Sequence, residues 1–215
     1  MKKQFFILAA LAVSLISHAE RTYDSKAIEG YNRISAIYSL GFSTPITNND
    51  KRDIHTHHGM GLSYVRGIGL SHKLPFYLEA GLTWQYFPEK KGFELMRFSV
   101  PVNITYRFTL GKDGNFKISP FTGINLGINA VRELDWSYYD FTGPYVHDFD
   151  SHERVFQIGW MVGANFTYKG YNVGIAYCLD LNSLSKTTHG WSSLGRPYGF
   201  ECKTRNLQIS VGYEF

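Results

Sequence analysis

The chain has 215 residues, one domain's worth, and its 21 Gly, 15 Tyr and 16 Phe suit strands that carry small residues on one side and aromatics on the other. Its formal charge of +4 falls to about +2 once Lys2 and Lys3 are removed with a leader, too little to argue for a nucleic-acid partner. The mean hydropathy is slightly negative, as expected for a soluble protein but equally for a barrel whose strands hide only alternate residues in lipid.

The chain opens with the three parts of a secretory signal. Lys2 and Lys3 form a positive n-region, Phe5 to Ile16 an apolar h-region, and Ser17-His18-Ala19 a small-x-small cleavage site, so 1–19 is expected to be removed after Ala19. The apolar run is shorter than the roughly 20 residues a spanning helix needs, and no Cys follows the cut to take a lipid. No second long apolar run exists, which excludes a helical membrane protein. Residues 20–30 are expected as a short periplasmic segment and 31–215 as the folded domain.

From there the periodicity is two, and about eight strands follow in order. The first, Tyr31 to Ser43, sets Ile34, Ala36, Tyr38, Leu40 and Phe42 against Arg33, Ser35, Ser39 and Gly41. The second, Met60 to Leu70, sets Met60, Leu62, Tyr64 and Ile68 against Gly61, Ser63, Gly67 and Gly69. The third alternates Phe76 to Tyr86 with Glu79, Gly81, Thr83 and Gln85 on the polar side. The fourth opposes Met96, Phe98, Val100, Val102, Ile104, Tyr106 and Phe108 to Arg97, Ser99, Asn103, Thr105, Arg107 and Thr109. In the fifth, Ile118, Ile124, Leu126 and Ile128 face away from Gly123, Asn125, Gly127 and Asn129. The sixth runs from Phe156 to Tyr168, with Gln157, Gly159, Gly163, Asn165 and Thr167 polar-side; the seventh opposes Tyr171, Val173, Ile175, Tyr177 and Leu179 to Asn172, Gly174, Ala176, Cys178 and Asp180. The eighth, Asn206 to Phe215, opposes Leu207, Ile209, Val211, Tyr213 and Phe215 to Asn206, Gln208, Ser210, Gly212 and Glu214.

Short connections (71–74, 111–115, 169–170) alternate with longer polar ones (43–59, 132–153, 181–201), the pattern of a barrel with a short-turn periplasmic end and a long-loop outer end. The 88–92 connection is the exception, being short where a long loop is due. Alternation alone does not say which face points inward, and a soluble lipocalin-like barrel shares it. Size decides. The interior of an eight-stranded barrel is just wide enough to be filled by side chains, so the Gly, Ser, Thr and Asn set fits inside. The Trp, Phe, Tyr and Leu set would be a large apolar surface in water. The expected fold is therefore all-β, an eight-stranded antiparallel up-and-down transmembrane β-barrel. Two residues resist it. Arg66 takes outward parity, which asks for a bulge near Gly67 or a place beyond the hydrocarbon; Pro101 removes a ladder donor from a central strand.

The terminal Gly212-Tyr213-Glu214-Phe215 resembles the C-terminal signal by which outer-membrane barrels are recognised for assembly. With the strand count, the domain resembles the OmpA/OmpX-like small barrels, also described as porin-family or outer membrane protein β-barrels. The resemblance implies a Gram-negative outer membrane, with its lipid and lipopolysaccharide and the barrel-assembly machinery as partners, and Gly212, Tyr213 and Phe215 as the assembly signal. It does not imply one activity, since such barrels serve as anchors, adhesins, stability factors and occasionally enzymes.

Arg33, Glu79, Arg97, Arg107, Asp180 and Glu214 take inward parity and are expected to pair, because an unpaired charge in a narrow lumen is costly. A plug and a gated, ion-selective path are both open readings, the plug being the expected one. Cys178 and Cys202 share inward parity and are expected as a disulfide at the base of the last loop, with two unpaired thiols as the alternative. His55, His57 and His58 crowd the first outer loop, and His147, Asp148, Asp150, His152 and Glu153 the third; these are metal-ligand types without diagnostic spacing, so no metal or other cofactor is expected. Ser151-His152-Glu153 are sequence neighbours, unlike a triad whose members meet through the fold, and no catalytic residue is expected. Trp136, Tyr138, Tyr139, Phe141 and Tyr145 are the candidates for binding an extracellular ligand. The expectation is a monomeric structural or surface-binding barrel; a narrow porin and a lipid A-modifying enzyme are the alternatives.

Overall fold

The computed structural model describes residues 30–47, 50–51, 54–70, 74–90, 93–110, 114–134, 151–187 and 200–215. The leader and residues 20–29 lie outside them. Eight long strands carry the fold: β1 (Tyr31–Thr47), β2 (His55–Gly69), β3 (Phe76–Lys90), β4 (Phe93–Tyr106), β5 (Phe116–Leu134), β6 (Phe156–Tyr168), β7 (Tyr171–Asp180) and β8 (Phe200–Glu214). Each pairs antiparallel with the next, and β8 returns to β1, so the sheet closes on itself. Closure leaves no unpaired edge. The seam runs from Arg33–Glu214 to Thr47–Phe200 without a shift. Below it, Asn32 N–H donates to Phe215 O (2.8 Å) and Phe215 N–H to Asn32 O (2.9 Å). Among the described residues no helix is long and apolar enough to cross a membrane, a statement that does not touch barrels.

Local chemistry sets the turns. Lys169 and Gly170 both have positive φ (49° and 87°), the geometry of a two-residue hairpin loop whose twist matches the strands it joins. At the other end β3 and β4 stay paired as far as Lys90 opposite Phe93, so 88–90 of the expected 88–92 connection belong to a strand.

The alternation holds along most of the barrel, with Ala80, Val100 and Ile128 buried despite outward parity. Ser39, Thr105, Ser119 and Asn172 are wholly buried while Leu62, Ile104, Ile175 and Val211 are about half exposed on the outside. The small-inside rule is incomplete, however. Tyr31, Ile37, Val65, Tyr77, Phe87, Phe121 and Met161 are also buried on the inner face. For Tyr31, Phe87 and Phe121 glycine yields the space: a Cβ on Gly59 would lie 2.6 Å from the Phe87 ring and one on Gly41 2.9 Å from it. Bulk on one strand is seated over a bare backbone on its neighbours.

The structure moves several strand boundaries, β8 beginning at Phe200 instead of Asn206 and β4 ending at Tyr106. β1 continues to Thr47 and β2 begins at His55, so the histidines placed in the first loop lie on a strand. Pairing also runs through Arg66 without the bulge expected near Gly67: Arg66 sits opposite Asn32 on β1 and Ala80 on β3, close to the short-turn end of β2. Pro101 does break a ladder. On the β3 side pairing goes from Ala80–Val102 to Thr83–Ser99 and omits Gly81–Pro101 and Leu82–Val100, as the missing proline N–H requires.

Candidate functional site

The barrel interior is the site, and charge organises it into two layers. At the short-turn end, Arg107, the residue just after β4, meets Glu214 on β8 through two bonds of 3.0 and 2.8 Å, a bidentate pair that fixes geometry as well as charge. Lys117 on β5 reaches the same carboxylate at 3.4 Å. The Arg107 guanidinium lies 3.6 Å above the Tyr31 ring and 5.0 Å from that of Tyr77, within cation–π range. Tyr31 in turn donates its hydroxyl to Glu79, and Arg33 Nη2 donates to the same carboxylate at 3.3 Å.

At the outer end the second layer draws one residue from each of five consecutive strands. Arg97 (β4) donates to Asp180 (β7) at 3.2 and 3.1 Å and to Asn129 Oδ1 (β5) at 3.0 Å. It also donates to Gln157 Oε1 (β6), which accepts from Asn129 Nδ2 at 2.9 Å. Asp180 further accepts from Gln157 Nε2 at 3.3 Å and from the Thr204 hydroxyl on β8. Arg97 and Asp180 are nearly inaccessible, with side chains 4% and 3% exposed. Arg97 and Arg107 are ten residues apart on one strand line, roughly 25 Å along a tilted barrel axis. The layers thus stand near opposite ends of the lumen.

Between them lies a small polar cavity of about 60 Å³, lined by Arg33, Ser99, Asn103, Asn125, Asn165 and Gln208 among others. Several of these carry a buried polar atom without a hydrogen-bond partner: Arg33 Nη1, Ser99 Oγ, Asn103 Oδ1, Asn125 Oδ1 and Asn165 Nδ2. Such atoms are uncommon in folded proteins and mark places where polar company is still to be supplied.

The six inward charges therefore sort as Arg33–Glu79, Arg97–Asp180 and Arg107–Glu214. The cysteines do not join. Both are buried free thiols, and the disulfide expectation fails on register: Cys178 faces Asn206, four residues along β8 from Cys202. That is roughly 13 Å of strand, where a bridge needs Cα atoms about 4.4–6.8 Å apart. Alkylation will therefore modify no cysteine in the folded barrel and two in the boiled protein without reductant; a mass unchanged until reductant is added would restore the bridge.

The histidines separate for the same reason that they alternate. His57 points inward to a 2.8 Å contact between Nε2 and Ser43 Oγ, while His58 points outward to the Tyr38 hydroxyl at 2.6 Å. Among the described residues no three His, Cys, Asp or Glu gather as a metal site. The Ser43–His57 pair escapes sequence reading because its partners sit on two strands. The cavity beside His57 is about 10 Å³, room for about one water-sized group. Trp136, Tyr138, Tyr139, Phe141, Tyr145, His147, Asp148 and Asp150 lie outside the described residues, and of Ser151, His152 and Glu153 only the backbone is described, as a strand piece paired with Ser185–Thr187. Tyr31, Lys117, Asn129, Gln157 and Thr204 complete the two layers, and their shared signal was inward parity or, for Lys117, nearness to a strand end.

No protein-family model and no curated protein sequence matches the chain. Among solved structures it is similar to the outer membrane protein OprG from Pseudomonas aeruginosa, at 10% identity and a TM-score of 0.44, covering 89% of this chain and 99% of that one. It is also similar to Neisserial surface protein A, at 11% identity and 0.45, covering 87% and 100%. The attachment invasion locus protein Ail of Yersinia pestis is similar at 12% identity and 0.42, again covering 87% and 100%.

Proposed function

We propose that this chain is an integral protein of a bacterial outer membrane, a monomeric β-barrel with a plugged lumen that acts through its outer loops as a structural or surface-binding protein. One observation carries the reading. The barrel buries Ser, Thr, Asn and paired charges and turns Leu62, Ile104, Ile175, Ile209 and Val211 outward. In water that surface would be a large apolar patch; in hydrocarbon it is the satisfied state, because closure leaves no sheet edge to pair. The paired layers at both ends favour a plug over a channel, since an ion would have to break a buried arginine–carboxylate pair twice. Membrane lipid and lipopolysaccharide are then the surroundings of the belt, the assembly machinery reads Gly212, Tyr213 and Phe215, and the loop aromatics Trp136, Tyr138, Tyr139, Phe141 and Tyr145 face an extracellular ligand.

Two measurements test this together. Protein lacking residues 1–19, refolded in detergent, is expected to run faster on an unboiled gel than on a boiled one, and to give no steady conductance in planar bilayers. Stable folding in plain buffer would reverse the inside and outside of the reading, and an open pore of fixed size would remove the plug.

A further inference from the structure

Two cavities meet at the one mid-strand place where the β3–β4 ladder is interrupted. On the outer face an apolar groove of about 380 Å³ runs over that interruption, walled by Leu62, Tyr64, Leu82, Trp84 and Phe98. On the inner face lies the polar cavity of about 60 Å³. Ser63, Thr83 and Ser99 line both, so at this point a single layer of residues separates the two spaces. Thr83 and Ser99 flank the missing Gly81–Pro101 and Leu82–Val100 pairs. A sheet normally confines proline to an edge or a bulge; Pro101 stands instead in a strand bonded to β5 through Asn125.

The chemistry on the two sides is that of an amphiphile. The groove offers hydrocarbon contact. The cavity, among the described residues, is lined by a single charged side chain, Arg33, whose Nη2 holds Glu79 and whose Nη1 is buried without a partner. Ser99 Oγ and Asn165 Nδ2 are likewise buried without partners, in residues 1% and 4% exposed. One cation and two further donors suit an anionic acceptor. The unpartnered amide oxygens of Asn103 and Asn125 line the same space, and a hydrated head group serves both kinds of atom. Size narrows the class. A water-sized group occupies about 10–15 Å³ of such space, so the cavity takes a carboxylate with its first methylenes and not a phosphodiester head.

We propose that the wall at Pro101 is a lateral site for a long-chain carboxylate, its tail in the outer groove and its carboxylate inside against Arg33, Ser99 and Asn165. The missing bond at Pro101 lowers the cost of parting β3 from β4, where Thr83 and Ser99 stand between groove and cavity. This rests on the membrane reading, which places the groove where such amphiphiles concentrate.

The test uses the refolded protein in a zwitterionic detergent, titrated at mildly alkaline pH with a long-chain fatty acid brominated at mid-chain, reading quenching of tryptophan fluorescence. Saturable quenching is expected, and Trp84→Phe, which removes the groove fluorophore, should abolish it. The methyl ester of the same acid should bind about tenfold more weakly, as should the acid to Arg33→Gln, the loss expected for one charge-assisted hydrogen bond. Pro101→Ala, which restores the ladder donor, should weaken binding several-fold. Equal quenching by acid and ester overturns the proposal, and this comparison needs no variant, so it stands even if Arg33→Gln fails to fold. A heat-modifiable barrel without saturable binding rejects this site alone; a chain that folds without amphiphile rejects the membrane reading.

Discussion

Asp180→Ala is expected to destabilise the folded barrel by about 3–5 kcal/mol, the loss typical when one partner of a buried ion pair is removed. The carboxylate accepts from both terminal nitrogens of Arg97, from Gln157 and from Thr204. Its removal leaves a guanidinium buried with two amide contacts and no countercharge. The cost belongs mainly to that stranded cation and not to the pair as such, because desolvating both charges consumed most of what their attraction returned. The double variant Arg97→Met with Asp180→Leu should therefore lose much less than the single one. Urea titrations of the protein refolded in lipid vesicles, followed by tryptophan fluorescence, measure both. A double variant as unstable as Asp180→Ala would mean that the network holds the fold through its geometry and not through charge balance.

Ile209→Arg is expected to cost about 2–4 kcal/mol in a bilayer. Ile209 stands outward near the middle of β8, opposite Tyr38 on β1 and Ile175 on β7, and is 46% exposed to whatever surrounds the barrel. If the surroundings were water, an arginine there would change stability by no more than about 0.5 kcal/mol. The same titration decides between them, and a neutral result would place this face in water.

The sequence made the inside and outside of each strand legible because a closed sheet imposes a strict period of two, and the belt and lumen differ in both size and polarity. Where either difference fades, legibility fades with it. His55, Thr56 and His57 read as loop because the barrel wall above the belt no longer needs outward hydrophobes, yet their backbone still pairs with Ser43 to Gly41. Phe87, Phe121 and Met161 broke the small-inside rule, and only the glycines beside some of them hinted at room. The charges were visible singly, but their partners were not: Arg97 and Asp180 are 83 residues apart, and which strand ends face each other across a lumen depends on the stagger of all eight. Equal parity also brought Cys178 and Cys202 to one face without bringing them level. The wall interruption was half visible, since Pro101 announced a lost donor while the groove and cavity it joins are assembled from strands far apart in sequence.

The seating of Phe87 over Gly41 and Gly59 turns three positions into one hereditary unit. A methyl group gained at either glycine has to be met by loss of the ring, and loss of the ring alone leaves a hole at the mouth of the outer layer. Descendants of this chain should therefore change these sites jointly, trading bulk from one stave of the cask to the next while the total stays fixed.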